Sequence, residues 1–345
     1  MKKPGLTFWS GLIGVTACLL LTSLFVGRYP MTPGDVCTAF FLWASDLWNQ
    51  WVLGATAPSA PTIHHTVIFG IRLPRILAAA LIGAGMSVAG TSFQGLFKNP
   101  LVSPEILGVA SGAGFGAAIG ILISAPPALV QGLAFLFGIG AVGMAYTMSR
   151  MIRSGPVLVL VLSGIIVGAL FSALVGLLKY VADPYDTLPA IVFWLMGSLS
   201  SVSMTDVGMA APPVAASCLV LFIIRWRMNL LTMSDDEAKA LGVNTKWMTR
   251  IILICATLIT ASAVCISGII GWIGLVVPHI GRMLVGPDFR KLLPASALIG
   301  AVFLLLVDSL SRTIFPTEIP LGILTAMIGA PVFAWLMMRR QVGWL

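Results

Sequence analysis

Charge is what this 345-residue sequence has least of: Asp, Glu, Lys and Arg together make up 9% of it, against about a quarter of an ordinary soluble domain. With 58% hydrophobic residues and a mean hydropathy of +1.02, the chain has too little polar surface to face water all round. In hydrocarbon every backbone N–H and C=O must be paired internally, so only helices and closed barrels can span. A barrel would alternate apolar and polar residues, whereas the apolar runs here are long and unbroken. The composition therefore predicts an all-α membrane bundle.

Other scarcities exclude further classes. There are five cysteines and no C-x-x-C spacing; Cys18, Cys218, Cys255 and Cys265 lie in apolar runs and only Cys37 lies outside one, which argues against a disulfide framework or a zinc site. The three histidines include the neighbours His64 and His65, whose side chains diverge, and the solitary His279 beside Pro278. That is a poor supply of donors for a naked transition metal, and no metal site is expected. No lysine follows a glycine, so there is no P-loop and any ATP must be hydrolysed elsewhere. Asp308 is the clearest acid inside an apolar run; a proton relay would need more intramembrane charge than this. No nucleophile–base pair stands out, and no catalytic residue is assigned. The net charge of +8 is spread singly between apolar runs rather than in the patch that nucleic acid would require.

What is present is a series of ten apolar runs, at about 6–27, 75–97, 104–124, 128–149, 156–178, 206–225, 248–266, 268–285, 292–312 and 320–338, each near the roughly 20 residues that cross a bilayer. The first follows Lys2 and Lys3 and has no small-x-small site behind it, so it reads as an uncleaved span rather than a signal peptide. An even count puts both termini on one side. With that side cytoplasmic, only Arg28, Arg72, Arg75, Lys179 and Arg312 of the twenty basic residues fall outside, as the positive-inside rule demands. Thr32-Pro33-Gly34-Asp35 opens a Trp-rich stretch to Trp51 that reads as an interfacial helix, and Ile191 to Met196 is too short to span. Gly108, Gly112, Gly116 and Gly120, echoed by Gly164 and Gly168, have the spacing that lets helices approach closely in lipid.

A string of short phrases then carries a family resemblance. Arg72-Leu73-Pro74-Arg75 is followed by Gln94-Gly95, Asn99-Pro100-Leu101, Ile106-Leu107-Gly108 and Ser111-Gly112-Ala113. Later come Glu237-Ala238, Leu241-Gly242-Val243 and the run from Gly271 to Arg282; Glu318-Ile319-Pro320-Leu321-Gly322 and Ile328-Gly329-Ala330-Pro331 close the series. In this order and spacing, over about 65–340, the chain resembles the FecCD-type permeases of bacterial ABC importers for iron-siderophores, haem and vitamin B12. It departs from that pattern at Val102-Ser103-Pro104-Glu105, where Ala-Asp-Pro is more frequent, and at Trp272, where Phe is usual.

The resemblance implies a single transmembrane domain over 1–345 in the bacterial inner membrane, dimerising with a second copy or a close paralogue. It also implies two cytoplasmic ATPase subunits, which bring the ATP and magnesium, and a periplasmic or lipid-anchored substrate-binding protein; this chain itself would bind no cofactor. Three groups of residues take roles. Arg72, Arg75 and Arg312, at the outer ends of spans, would grip acidic residues of the binding protein, for which an arginine fork is suited; headgroup anchoring is the alternative. Asp235, Asp236, Glu237, Ala238, Leu241 and Gly242, in a cytoplasmic segment at about 226–247, would engage the ATPase, Ala238 and Leu241 offering an i, i+3 apolar edge. Ser154 and Gly155 would lie at the cytoplasmic gate, and the fifth and tenth spans would line the pathway. A chelated metal, iron-siderophore or haem, is the expected cargo, with a corrinoid or an oxyanion as alternatives. An ion-coupled secondary transporter is the rival mechanism.

Overall fold

The computed structural model describes residues 5–52, 62–152 and 156–338, and among these there are helices and no strands. In chain order α1 is Leu6–Thr22, α2 Pro33–Val52 and α3 Ile63–His65; a π-helical stretch, Thr66–Arg72, runs on into α4, Leu73–Leu96. A 3-10 turn at Pro104–Leu107 precedes α5 (Val109–Leu122), α6 (Pro127–Met151), α7 (Pro156–Val181) and α8 (Thr187–Met196). Then come α9 (Met204–Leu231), α10 (Asp235–Ala240), α11 (Thr245–Ser267), α12 (Ile273–Val285), α13 (Phe289–Thr313) and α14 (Leu321–Met338).

The ten apolar runs become α1, α4, α5, α6, α7, α9, α11, α12, α13 and α14. Seven helices are long and apolar enough to cross a membrane, the longest being the continuous Ile63–Leu96; α1, α5 and α12 are shorter apolar helices. The shortening has a local cause in two of them. At 104–124 the chain first makes its 3-10 turn, and Gly108, at φ +84°, reverses direction before α5 starts. At 268–285, Gly268 (φ +66°) and Trp272 (φ +70°) hold an irregular segment, so α12 supplies only about 20 Å of rise. In the other direction, α9 continues past Arg225 to Leu231, using about two turns of the segment expected to be a polar connector.

The π-start and α4 form the central pillar, packed by α13, α11, α9 and α12. Glycine makes the closest crossings possible: a side chain on Gly83 would overlap Gly300 of α13, and one on Gly90 would overlap Gly274 of α12. The glycine ladder of α5 packs in the same way. Gly112 and Gly116 lie against the backbone of Phe137 and Leu133 in α6, and Gly164 of α7 lies against Ile106 of the 3-10 turn. The apolar windows differ in enclosure, 67% of that of α11 being buried but 33% of that of α7 and 28% of that of α14. α14 and the similarly open α7 thus keep apolar faces for lipid or another subunit.

The Trp-rich stretch from Thr32 onward is helical, as α2. Thr32 N–H donates to Asp35 Oδ2 at 2.8 Å and Asp35 N–H donates to Thr32 Oγ1 at 3.3 Å, a reciprocal cap. Trp48 and Trp51 are exposed on it.

Candidate functional site

α4 and α13 run antiparallel, so the N-terminal end of one meets the C-terminal end of the other, and the three candidate docking arginines gather there. Arg75 Nε donates to Asp308 Oδ1 at 2.6 Å, and its Nη1 reaches both Glu318 oxygens at 2.9 and 2.8 Å. Arg312 Nη2 lies 3.1 Å from Asp308 Oδ2, and its Nη1 donates to Val26 O at 3.1 Å. Arg72 donates to Leu24 O and Tyr29 O. The side chains of Arg75 and Asp308 are 3% and 0% exposed, Glu318 25%. Thus Arg72 and Arg312 pin the chain leaving α1, while Arg75 joins α4 to the α13–α14 connection. The forks are turned inward onto this chain's own carboxylates and carbonyls, and Glu318 is the group of the cluster that reaches the surface. All three side chains are buried in this chain, and an arginine in a low-dielectric setting needs its counter-charges close by.

At the far end of α4 stands α10. Ser234 and Glu237 form a capping box: the Ser234 N–H donates to Glu237 Oε2 at 2.9 Å and the Glu237 N–H to Ser234 Oγ at 3.3 Å. Those Ser234 contacts, backbone first and hydroxyl second, hold the Glu237 carboxyl below its ordinary range, with Lys98 adding to the effect. Lys98 Nζ donates to Met233 O, tethering the segment to the base of α4. Asp236 is almost fully exposed, 3.4 Å from Lys239. Gly242, at φ +79°, ends the helix. Ala238 and Leu241 do not form the shared outward edge expected of them: Ala238 is 1% exposed and Leu241 58%. On so short a helix one side must face its own protein, and Ala238 takes that side. For Asp235 the structure describes only its place in the helix. Ser154 and Gly155 lie outside the described residues.

Two polar groups named above only as parts of sequence phrases, with no role attached, complete the picture. Gln94 Nε2 donates to Val102 O, Gly274 O and Leu275 O at 3.2 to 3.4 Å, and its Oε1 accepts from Arg282. One side chain thereby joins α4, the 3-10 approach and both ends of α12. Glu105, in the 3-10 turn, has a buried Oε1 without a hydrogen-bond partner and faces Gly271 of the α11–α12 break. His279 is buried, its ring edge-on to Phe333 of α14 at 5.8 Å. Among the described residues no three His, Cys, Asp or Glu come together as a metal site would require.

The Gln94, Gly271–Arg282 and Arg75–Glu318 phrases, dispersed in sequence, meet in space at two joints. The FecCD transport family profile matches residues 15–339. The chain belongs to the FecCD transport family. It is 39% identical over 335 residues to the molybdate import system permease protein MolB of Haemophilus influenzae, covering 96% of each chain. It is 38% identical over 306 residues to the hemin transport system permease protein HmuU of Yersinia pestis, covering 84% of this chain and 90% of that one. Among solved structures, that of a metal-chelate-type ABC transporter in an inward-facing conformation superposes with a TM-score of 0.82 at 38% identity, covering 96% of this chain and 98% of the other. As a FecCD member this chain is a multi-pass membrane permease, the membrane-spanning subunit of an ATP-binding-cassette importer. The family works with ATPase and substrate-binding partners.

Proposed function

We propose that this permease carries a complexed metal, iron chelate or haem, across a bacterial inner membrane by alternating access, as one transmembrane domain over 1–345 with both termini cytoplasmic. It works as a homodimer or beside a close paralogue. Two cytoplasmic ATPase subunits hold the ATP and magnesium, and this chain hydrolyses nothing and binds no cofactor of its own. The observation that carries the reading is α10, a capped, charged helix at the opposite end of the bundle from the arginine cluster, with Asp236 and Leu241 outward. ATP-driven closure of the ATPases moves the segment 226–247, and through Lys98 and the Gln94–Arg282 joint the bundle follows. Asp235, Asp236, Glu237, Ala238, Leu241 and Gly242 build the coupling element, Ala238 by seating it. The gate is placed near Ser154 and Gly155, with α7 and α14 lining the path.

The binding protein, periplasmic or lipid-anchored, docks at the end that carries Arg72, Arg75 and Arg312. These arginines hold the rim in shape there, and Glu318 lies at its surface. Glu318→Lys tests this directly: a salt-dependent change in binding-protein affinity supports docking at this rim, and unchanged affinity at all salt concentrations removes the docking role.

The cargo is tested by uptake into vesicles holding the assembled importer and its cognate binding protein, offered ferric siderophore, haem, corrinoid and molybdate in turn. Accumulation of an iron complex supports the first reading. The second reading, an oxyanion, is favoured by the Haemophilus relative that aligns over 96% of both chains, and accumulation of molybdate alone would establish it.

A further inference from the structure

α6 and α11 leave between them an open groove of about 460 Å³ on the side of the bundle where α10 stands. Both walls are single helix faces. On α11 the lining positions Arg250, Leu253, Ile254 and Thr257 follow i, i+3, i+4, i+7, and on α6 Ile139, Val142, Tyr146 and Arg150 follow i, i+3, i+7, i+11. Each face is apolar along its length and ends in one arginine near the same mouth, Arg150 in the last turn of α6 and Arg250 in the second turn of α11. The Arg150 guanidinium lies over the Tyr146 ring, 5.8 Å from its centre. No carboxylate pairs with either arginine among the described residues. Two turns below Arg250, Thr257 is 6% exposed, and its hydroxyl has no hydrogen-bond partner.

We propose that this groove binds an anionic phospholipid, its phosphate between Arg150 and Arg250, an ester oxygen on the Thr257 hydroxyl, and acyl chain along Ile139, Val142, Leu253 and Ile254. The three parts of the groove ask for the three parts of such a molecule. Two cations at one mouth repel each other unless an anion lies between them. Basic pockets between helices at a membrane surface suit anionic headgroups. A hydroxyl sealed in an apolar wall costs stability unless something accepts its proton. The hydrocarbon floor excludes a soluble anion as the whole occupant, and a zwitterionic lipid brings its own ammonium to the arginines. The proposal rests on the chain being membrane-embedded, and it is read without transport, so its failure would leave the importer assignment intact.

The test uses the importer assembled with its ATPase subunits, reconstituted in phosphatidylethanolamine vesicles with rising fractions of fluorescent phosphatidylglycerol and read by energy transfer from Trp247 and its neighbours, with native mass spectrometry of the lipid retained after mild delipidation. Arg150→Gln with Arg250→Gln is expected to lower apparent phosphatidylglycerol affinity on the order of tenfold. The double Arg→Lys variant, which keeps charge but loses the forks, is expected to fall between it and the unmodified protein. Thr257→Val, isosteric and so harmless to packing, is expected to weaken retention by a few-fold. Unchanged retention in both the double Gln and the Thr257→Val variants would overturn the proposal. So would displacement of the lipid by millimolar inorganic phosphate, which would mark a free-anion site, or protection of Ile254→Cys from a thiol reagent by the ATPase subunits instead of by lipid, which would mark a protein interface.

Discussion

Asp308 is the residue on which the outer end turns. It has no exposure and is shared by two buried arginines, so its loss leaves Arg312 without a carboxylate and Arg75 with only the part-exposed Glu318. Removing one partner of such a cluster costs about 3–5 kcal/mol, and Asp308→Ala should lower the unfolding temperature of the purified protein sharply. Glu318 at 25% exposure is partly screened, and Glu318→Gln should cost about 1 kcal/mol or less. Equal effects would show that the cluster is not organised around Asp308. Glu105 predicts the reverse. Its buried Oε1 has no partner, so Glu105→Gln relieves the cost of sealing a charge and should leave the unfolding temperature unchanged or raised; a clear drop would reveal a bound cation or water completing the site. The i, i+4 pairing of Asp308 with Arg312 is readable from spacing alone, since four residues on a helix share a face. Arg75 with Glu318, 243 positions apart, is not. A sequence counts charges but does not say which carbonyl or carboxylate will be folded against them, which is why three arginines that look like outward forks turn out to be inward clasps.

Helices show the same division between what periodicity reveals and what contact decides. The ten apolar runs were legible because hydrocarbon demands length and hydrophobicity. The breaks at 104–108 and 268–272 were not, because they lie within or at the edge of apolar runs and depend on positive φ at Gly108, Gly268 and Trp272. Tight and loose glycines also look alike in sequence, and the structure separates them. Gly90→Ala drives a methyl into Gly274 and should destabilise by about 1–3 kcal/mol. Gly143→Ala in α6 meets nothing within 4 Å and should gain up to about 1 kcal/mol from helix propensity. Thermal unfolding of the two variants checks the contrast, which would collapse if both moved alike. At the C-cap of α10, Leu241→Asp alters an exposed side chain without touching the Ser234–Glu237 capping box or Ala238, so ATPase subunits should still fold and bind nucleotide while substrate-stimulated hydrolysis falls. Full stimulation in that variant would remove α10 from the coupling path. The Glu237 carboxyl, held below its usual range by Ser234, is ionised at neutral pH. Its cap contributes at pH above the unfolded carboxylate value and is lost as pH falls through the lower folded one.

The whole molecule is tied across its sequence at one outer node. Ser198 N–H donates to Ser267 O and Leu321 N–H donates to Gly197 O, each at 2.8 Å, while Gly268 and Gly322 lie against Trp194 and Met196. With ten crossings, reporters fused after residue 340 and within 55–63 should read opposite compartments, and a shared compartment would refute the topology. The node also fixes an order of events. Domains assemble as the chain emerges, N-terminal parts first, yet Gly197 O keeps no backbone donor from α14 until residue 321 has been made, and Arg75 waits as long for Glu318. A nascent chain stopped before α14 therefore carries an open backbone acceptor at Gly197, and should be cut more readily by proteases than a chain that includes α14. α14 thus locks helices made before it, and the accessibility of the α8–α9 connection is a simple sign of whether synthesis has passed residue 321.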